Sequence, residues 1–477
     1  MKNKRLLLLL LLPLLCAAGA KGQTGHTVKV ACIGASITHG ATLEHPERDA
    51  FPQQLGRLLG HGYQVTNYGV SGAALLKKGE LSYWNTEAYR AALKSLPDIV
   101  FIDLGGNDAK WINRVHIDEF EGDYHDMIRS FAELSSHPRI ILLLPLPGFT
   151  KDTAQIWDPA IVSVIIPHIR QVAYEERLEV LDMHSLFVDK EGWMPDKIHP
   201  NLEGTTLMAK RLYDLLTEPA DTSFDLFKGL SPEKTVGSFY GYPCADFTLN
   251  GRDCKVVQPK RAAPGHPWVW RARFWGHEPQ TDVALLERGY HIAYCDVAEL
   301  FGNAEAISRW NDFYHLLHKA GLAKKAVMEG MSRGGVYVFN WAAVNPRKVA
   351  CVYVDNPVLD LKSWPGGLGK LPPSVGELET LEKDYGLADT AALRQFKGSP
   401  VDKVARIVKG RYPILILCAD EDEAVAPSEN TLLFEQRVRA LQGDITVIHK
   451  PGFKHHPHSL PNPTPIVDFI IKAESAL

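Results

Sequence analysis

Two serines in this 477-residue sequence each follow an apolar run and lie between glycines. Ser36 is found in "ACIGASITHG", residues 31–40, and Ser332 in "AVMEGMSRGG", residues 326–335. A serine hydroxyl attacks a carbonyl carbon when a histidine takes its proton and a carboxylate orients that histidine. If both serines are nucleophiles, the sequence must supply such a pair of residues for each of them.

Three later stretches supply partners for Ser36. "NYGVSG" brings Gly72, "LGGND" brings Asn107, and "DKIHP" places Asp196 three residues before His199. That spacing lets the carboxylate orient the imidazole within one turn of chain, so His199 is the predicted general base. The Gly72 and Asn107 positions, with the backbone N–H of Ser36, are predicted donors to an oxyanion.

In this order, the four blocks resemble the SGNH (GDSL-type) hydrolase family, and the resemblance covers roughly residues 27–216. It implies a flavodoxin-like three-layer fold, metal-free ester hydrolysis and the residue roles just named. Ala35 stands where many members have Asp, which leaves the nucleophile in place. A nucleotide-binding flavodoxin-like domain with incidental polar loops is the alternative interpretation.

Ser332 lies in a G-x-S-x-G motif between a predicted strand and a predicted helix, the context of a nucleophile elbow. An acidic loop, "ADEDEAVAPSENT", and a histidine-containing loop, "PGFKHHPHSL", each follow a later apolar run. The chain order Ser, Asp, His resembles that of α/β-hydrolases over about residues 225–477. The resemblance implies Ser332 as nucleophile, Asp422 as orienting acid and His455 as base.

Two of these assignments have neighbours that compete with them. The E-N-T sequence that starts at residue 429 resembles that of relatives and selects Asp422 over Asp420. The histidine loop lacks the Gly-x-Gly that often precedes the base, so His456 stays open as an alternative to His455. The resemblance also implies that the oxyanion donors of this site are the backbone N–H of Arg333 and one near Trp275 or Gly276.

Aromatic and cationic residues near the second serine suit a sugar substrate, because aromatic rings stack on sugars and arginines pair with uronate carboxylates. The competing interpretation is that these residues belong to the core or to a solvated helix face. The candidate substrate-binding residues are Arg271, Arg273, Trp364 and His456.

We predict neither a metal nor another cofactor. His455, His456 and His458 are close enough in sequence to bind zinc, yet no Cys-x-x-Cys or H-E-x-x-H motif accompanies them. The acidic run at residues 420–423 lacks the spaced ligands and the turn glycine of an EF-hand.

The predicted strands and helices that would position these residues indicate an α/β protein with two domains. Apolar strand-like runs alternate with amphipathic helical stretches up to about residue 216, and the alternation restarts after "TEPADTSFD". We therefore expect a flavodoxin-like SGNH domain at residues 25–218 and an α/β-hydrolase domain at residues 219–477. The second includes a linker and hairpin at 219–250 and a Pro- and Gly-rich specificity insertion at 356–387.

Two cysteines flank the predicted hairpin turn Asn250-Gly251. In the register set by that turn, Cys254 faces Phe247 and not Cys244. A disulfide between the two cysteines is therefore not favoured, although the sequence leaves it open.

The first 20 residues read as a secretory signal peptide, with a basic start, an apolar run from Leu6 to Leu15 and a cleavage site before Lys21. Lipid anchoring at Cys16 is disfavoured, because the residue before it is Leu15 and not a small residue. The protein is therefore expected to be secreted or periplasmic.

Charge and hydropathy exclude two classes of partner. The formal charge of −4 becomes more negative once the basic leader is removed, and no Lys/Arg run follows it, which argues against nucleic-acid binding. No apolar run reaches the roughly 20 residues that span a bilayer.

Together these features predict a secreted bifunctional serine esterase with two independent Ser-His-Asp sites. By analogy with fused carbohydrate esterases, it would remove acyl or methyl ester groups from polysaccharides through acyl-enzyme intermediates. One active esterase domain with a non-catalytic glycan-binding domain, and a lipase or peptidase activity in the second domain, are the alternatives. The sequence does not identify the ester, the glycan or the oligomeric state.

Overall fold

Two β-sheets, each covered by helices, organise the chain in the computed structural model, which describes residues 27–476. The predicted signal peptide and Cys16 lie outside the described residues. The first sheet has five parallel strands in the order β2-β1-β3-β4-β5, the order of flavodoxin-like folds. Its strands are β1 (Val28–Gly34), β2 (Tyr63–Gly69), β3 (Ile99–Asp103), β4 (Arg139–Leu143) and β5 (Glu179–Leu181).

Both faces of the sheet are buried at its inner strands, which explains why β1, β3 and β4 are largely apolar runs. Successive side chains of a strand point to opposite faces. In β1, Val30 and Cys32 accordingly pack in one hydrophobic cluster, whereas Ala31 and Ile33 pack in another on the opposite face. The result is the three-layer α/β arrangement predicted from the sequence.

The helices of the first domain follow its strands in alternation. They are α1 (Ser36–His39), α2 (Pro46–Asp49), α3 (Phe51–Leu59), α4 (Glu87–Lys94), α5 (Trp111–Arg114), α6 (Phe120–Ala132), α7 (Asp158–Ala160), α8 (Ile166–Glu175), α9 (Met183–Phe187) and α10 (Leu202–Thr217). A short helix, α11 (Leu226–Gly229), lies between the two sheets in the chain.

The second sheet has nine strands in the order β14-β13-β12-β11-β9-β10-β8-β7-β6. Strands β6 to β8 form an antiparallel meander, and β9 to β14 are parallel to one another. This is the α/β-hydrolase architecture. The strands are β6 (Thr235–Phe239), β7 (Tyr242–Leu249), β8 (Arg252–Val257), β9 (Trp268–Ala272), β10 (His291–Cys295), β11 (Ala326–Met331), β12 (Val349–Asp355), β13 (Ile414–Ala419) and β14 (Ile445–Lys450).

Helices cover this sheet as well, and one of them lies inside the predicted 356–387 insertion. That insertion is thus not a loop throughout, since it contains α15 (Val375–Tyr385). The helices are α12 (Gln280–Leu286), α13 (Ala304–Lys319), α14 (Gly334–Val344), α15 (Val375–Tyr385), α16 (Thr390–Gln395), α17 (Val404–Val408), α18 (Thr431–Ala440) and α19 (Thr464–Ser475).

The hairpin register predicted around Asn250-Gly251 is confirmed. Cys254 pairs with Phe247, and Cys244 pairs with Val257. Cys244 and Cys254 are both buried free thiols. The turn geometry therefore holds the two cysteines out of register for a disulfide.

The two domains share a buried interface. One hydrophobic cluster continues from Val180 of the first sheet through Tyr242 to Leu286 of the second domain. At its edge, Arg211 and Glu287 form an ion pair of 3.1 Å in which both side chains are only 4% exposed. Within residues 27–476, no helix has the length and apolar character that crossing a membrane requires.

Candidate active sites

The first site lies where the strands of the first sheet end. Ser36 follows β1 directly and opens α1, and a turn between residues 194 and 199 brings His199 towards it. The Nε2 atom of His199 lies 2.7 Å from the Ser36 Oγ, and its Nδ1 atom lies 2.6 Å from Asp196 Oδ2. The structure thus joins the three predicted residues into one hydrogen-bonded chain.

Asp196 also fixes the backbone that carries the histidine. Its Oδ1 accepts hydrogen bonds from the backbone N–H groups of Ile198 and His199, at 3.1 and 2.7 Å. Burial by itself would raise the pKa of Asp196, but hydrogen bonds from the His199 ring and from these N–H groups outweigh it and lower the pKa. The carboxylate is therefore charged at neutral pH and can stabilise a protonated imidazole.

Gly72 and Asn107 are the two oxyanion donors predicted in addition to Ser36, and a hydrogen bond links Asn107 to the residue after Gly72. Gly72 has a φ of +82°, a conformation that favours glycine. The Nδ2 of buried Asn107 donates to the carbonyl of Ala73, at 3.0 Å. Because an amide nitrogen carries two hydrogens, the second remains for an oxyanion.

The second site is built in the same way on the second sheet. Ser332 follows β11, Asp422 lies in the loop after β13, and His455 lies in the loop after β14. The His455 Nε2 atom is 2.9 Å from Ser332 Oγ, and its Nδ1 atom is 2.7 Å from Asp422 Oδ2. All three residues are buried.

The glycines of the G-x-S-x-G motif are explained by close approach. Ser332 has a φ of +48°, the strained conformation of a nucleophile elbow. A Cβ added to Gly334 would lie 2.6 Å from the carbonyl oxygen of Ala272, and one added to Gly330 would lie 2.8 Å from the backbone of Gly334. Only glycine fits at either position without a shift of the backbone.

The first domain is similar to known proteins. Residues 32–207 match the GDSL-like Lipase/Acylhydrolase family. An acetylxylan esterase of Xylanibacter ruminicola is 36% identical over 201 residues, which is 38% of this chain and 42% of that protein. The chain therefore spans less than half the length of this curated relative.

Solved structures resemble the second domain only loosely. A puromycin-hydrolyzing peptidase of Mycobacterium tuberculosis has a TM-score of 0.36 and 14% identity, over 51% of this chain and 38% of its own. An acylaminoacyl peptidase of Pyrococcus horikoshii has a TM-score of 0.35 and 16% identity, over 48% of this chain and 39% of its own. At these scores the fold of the second domain is defined by its own strand order.

In the first domain, sequence reasoning missed a residue that supports Asn107. Asn113 is fully buried, and its Nδ2 donates to the Asn107 carbonyl, at 2.8 Å. Its Oδ1 accepts from the backbone N–H of Glu80, at 2.7 Å. Asn113 thereby links the Asn107 turn to the loop that follows Gly72.

Asn356 has an equivalent place in the second domain and was also missed. It follows β12 with a φ of +42°, and its side chain is buried between two neighbouring loops. Its Nδ2 donates to the His455 carbonyl at 2.9 Å, and its Oδ1 accepts from the backbone N–H of Ala419 at 2.7 Å. One side chain therefore connects the end of β13, which leads to Asp422, with the loop of the histidine.

The prediction that Arg271 contacts substrate needs correction, because its side chain is only 1% exposed. The guanidinium pairs with Asp282 and with Glu329, and it donates to the backbone carbonyls of Phe274 and His277. Arg271 therefore supports the loop after β9 from inside the domain.

Arg333, predicted as an oxyanion donor, and Arg273, predicted as a substrate contact, differ in their surroundings. The Arg333 side chain pairs with Glu377 and lies 4.6 Å from the Phe301 ring centroid. Burial, opposed by Tyr337, lowers the pKa of Arg333 to about 10. Arg273 is half-buried in the turn after β9, with a φ of +62°.

Trp364 and Trp275 are both partly buried against hydrophobic clusters. The Trp364 ring lies 6.3 Å from that of Phe301, and the Trp275 ring lies 4.8 Å from that of Phe239. Trp275 thus anchors the turn whose backbone N–H groups we predict as oxyanion donors. The roles of the Trp275 and Arg333 N–H groups remain predictions.

The competing residues have partners of their own. Asp420 pairs with His449, at 2.6 Å, and both are exposed. His456 is exposed and makes no hydrogen bond to Ser332 or Asp422. The structure thus brings His455 and Asp422 together with the nucleophile and leaves Asp420 and His456 outside the triad.

Proposed function

We propose that this protein is a bifunctional serine esterase that removes acyl or methyl ester groups from polysaccharides. The observation that carries the proposal is the pair of complete Ser-His-Asp chains, each with both hydrogen bonds between 2.6 and 2.9 Å. The polysaccharide is proposed from the acetylxylan esterase that resembles the GDSL-like domain.

Each site supports an acyl-enzyme route. The histidine Nε2 takes the proton of the serine hydroxyl as its Oγ attacks the ester carbonyl, and the carboxylate stabilises the imidazolium. Backbone and Asn107 donors stabilise the oxyanion in the first site. The imidazolium then protonates the leaving alcohol, and water releases the acyl group by the same steps in reverse.

We also propose that the protein is exported through cleavage before Lys21, so that both sites meet glycans outside the cytoplasm. Amino-terminal sequencing of protein recovered from the periplasm or the culture medium tests this step. A mature chain that begins at Lys21 supports export, and an uncleaved chain confined to the cytoplasm contradicts it.

The main experiment uses Ser36→Ala, Ser332→Ala and the double variant, screened on acetylated and on methyl-esterified polysaccharides. Each single substitution should abolish one activity by at least about 10³-fold, because the members of a triad act as a unit. The other activity should stay within about a factor of two, as expected for sites without shared partners.

Ser82→Ala is a matched control for the first site, since Ser82 is also buried and its Oγ has no hydrogen-bond partner among the described residues. It should retain both activities. If only one of the two serines proves necessary for any ester hydrolysis, the chain has one catalytic domain and the other domain is better described as a glycan-binding module. If each single substitution abolishes both activities, the two-site proposal is wrong.

A further inference from the structure

Three histidine rings meet beside the nucleophile of the second site. His455, His456 and His458 each offer a ring nitrogen, and the three nitrogens lie within 4.8 Å of one another. His277 approaches from the loop after β9, with its ring centroid 6.1 Å from those of His456 and His458. His277 and His456 are exposed, so solvent reaches the cluster directly.

Carboxylates orient two of these rings. Asp422 contacts the Nδ1 of His455, and buried Asp355 contacts the Nδ1 of His458 at 3.2 Å. A carboxylate on one ring nitrogen is the usual outer partner of a metal-binding histidine, because it fixes the tautomer and makes the opposite nitrogen a better ligand. The contact with Asp355 occupies the Nδ1 of His458, so its Nε2 is the nitrogen that faces coordination.

Neutral imidazole is the form of histidine that binds metals. Imidazole nitrogen is a preferred ligand of Zn²⁺ and of Cu²⁺ and Ni²⁺. Nitrogens on one tetrahedral Zn²⁺ lie about 3.4 Å apart, so nitrogens up to 4.8 Å apart must move closer to share one ion.

Coordination here has a direct consequence for catalysis. Both ring nitrogens of His455 are already used, one by Ser332 and the other by Asp422. An ion bound to either nitrogen therefore removes one hydrogen bond of the triad, whichever nitrogen it takes. No corresponding histidine cluster surrounds His199 among the described residues.

From this arrangement we infer that the His455-His456-His458 cluster is an inhibitory site for Zn²⁺, which reversibly blocks the Ser332 site and leaves the Ser36 site active. The binding site follows from geometry alone, whereas the inhibition rests on the proposed function of Ser332. The ion is an external effector and takes no part in ester hydrolysis.

The test measures Zn²⁺ binding and activity separately. Isothermal titration calorimetry with zinc chloride on chelator-treated full-length protein gives stoichiometry and affinity. Hydrolysis of p-nitrophenyl acetate in the Ser36→Ala background reports the Ser332 site, with each variant compared with its own metal-free rate. We expect one Zn²⁺ per chain, inhibition that follows saturation of that site, and recovery with EDTA.

His456→Ala removes one ligand that is outside the triad and should weaken both binding and inhibition by at least about tenfold. Two histidine variants are matched controls. His315→Ala removes an exposed histidine far from the cluster in sequence, and His449→Ala removes the histidine of the other candidate metal group, Cys418-Asp420-His449. Both should bind and respond like the parent.

Unchanged zinc affinity in His456→Ala, absence of binding, or loss of binding in His449→Ala would each overturn the inference. Inhibition of the Ser36 site to the same extent, measured in the Ser332→Ala background, would overturn its selectivity. A metal-free enzyme without any Ser332-dependent hydrolysis would refute the proposed function of that site, and calorimetry would still decide whether the cluster binds zinc.

Discussion

Asn356→Ala should disable the second active site without touching any residue of its triad. The Asn356 side chain satisfies two buried backbone groups, the His455 carbonyl and the Ala419 N–H. In the first domain, Asn113 makes one buried hydrogen bond to the Asn107 carbonyl and one partly buried hydrogen bond from the Glu80 N–H. The two substitutions to alanine are therefore matched in the number of hydrogen bonds lost, and each reports on a different site.

The size of the effect follows from those contacts. A buried backbone group left without a partner costs about 1–3 kcal/mol, so loss of two costs about 2–6 kcal/mol of folding free energy. Asn356→Ala loses additional folding free energy, because alanine tolerates a φ of +42° less well than asparagine. A displacement of about 1 Å in the base costs about 10²-fold in rate, so we expect kcat of the Ser332 reaction to fall about 10- to 100-fold.

Each variant is assayed as folded protein for both the Ser332 and the Ser36 activity. Each variant is first checked by circular dichroism and thermal denaturation, and kinetics are then measured well below its unfolding temperature. Asn356→Ala should lower kcat at the Ser332 site, with KM within about twofold and Ser36-dependent turnover unchanged. Asn113→Ala should show the reverse pattern.

Two results would refute this reasoning. If folded Asn356→Ala retained the parent kcat at the Ser332 site, the side chain would not position His455. If either variant lost both activities in parallel, the effect would be general destabilisation and not displacement of one catalytic loop.

Three further predictions concern single packing and charge features. Gly334→Ala should abolish Ser332-dependent turnover, because the new Cβ would lie 2.6 Å from a carbonyl oxygen at the end of β9. Gly376→Ala is the control and should be neutral in the same kinetic assay, because its new Cβ would have no atom within 4 Å. Burial raises the pKa of Asp103 from 3.8 to about 6, so above pH 6 its charge destabilises the fold, and this penalty disappears as the pH falls towards 4. Asp103→Asn should therefore raise the free energy of unfolding in urea by about 3 kcal/mol at pH 8 and leave it nearly unchanged at pH 4. Glu287→Ala leaves Arg211 buried without its partner and should cost about 3–5 kcal/mol in chemical denaturation, and replacing Arg211 by methionine as well should recover part of that loss.

Features that depend on neighbouring residues could be predicted from the sequence. Asp196 and His199 are three residues apart, so their contact needs only one turn of chain. The Asn250-Gly251 turn set the pairing of Cys254 with Phe247, because a two-residue hairpin fixes the register of its strands. The apolar runs that form β1, β3 and β4 predicted inner strands buried on both faces, since such strands have no polar side.

Features that depend on distant residues required the tertiary structure. The sequence implied His455 by resemblance and left His456 open. The choice between them depends on contacts with Ser332 and Asp422, which lie 123 and 33 positions away in the chain. The sequence left Arg271 open between substrate binding and the core. It lies in the core because all five residues of the central strand β9 are buried, and its charge is compensated by Asp282 and Glu329. Asn356 reaches the His455 carbonyl across 99 residues. Local spacing determines which groups can meet within a turn, whereas the packing of loops at the end of a sheet determines which distant groups do meet.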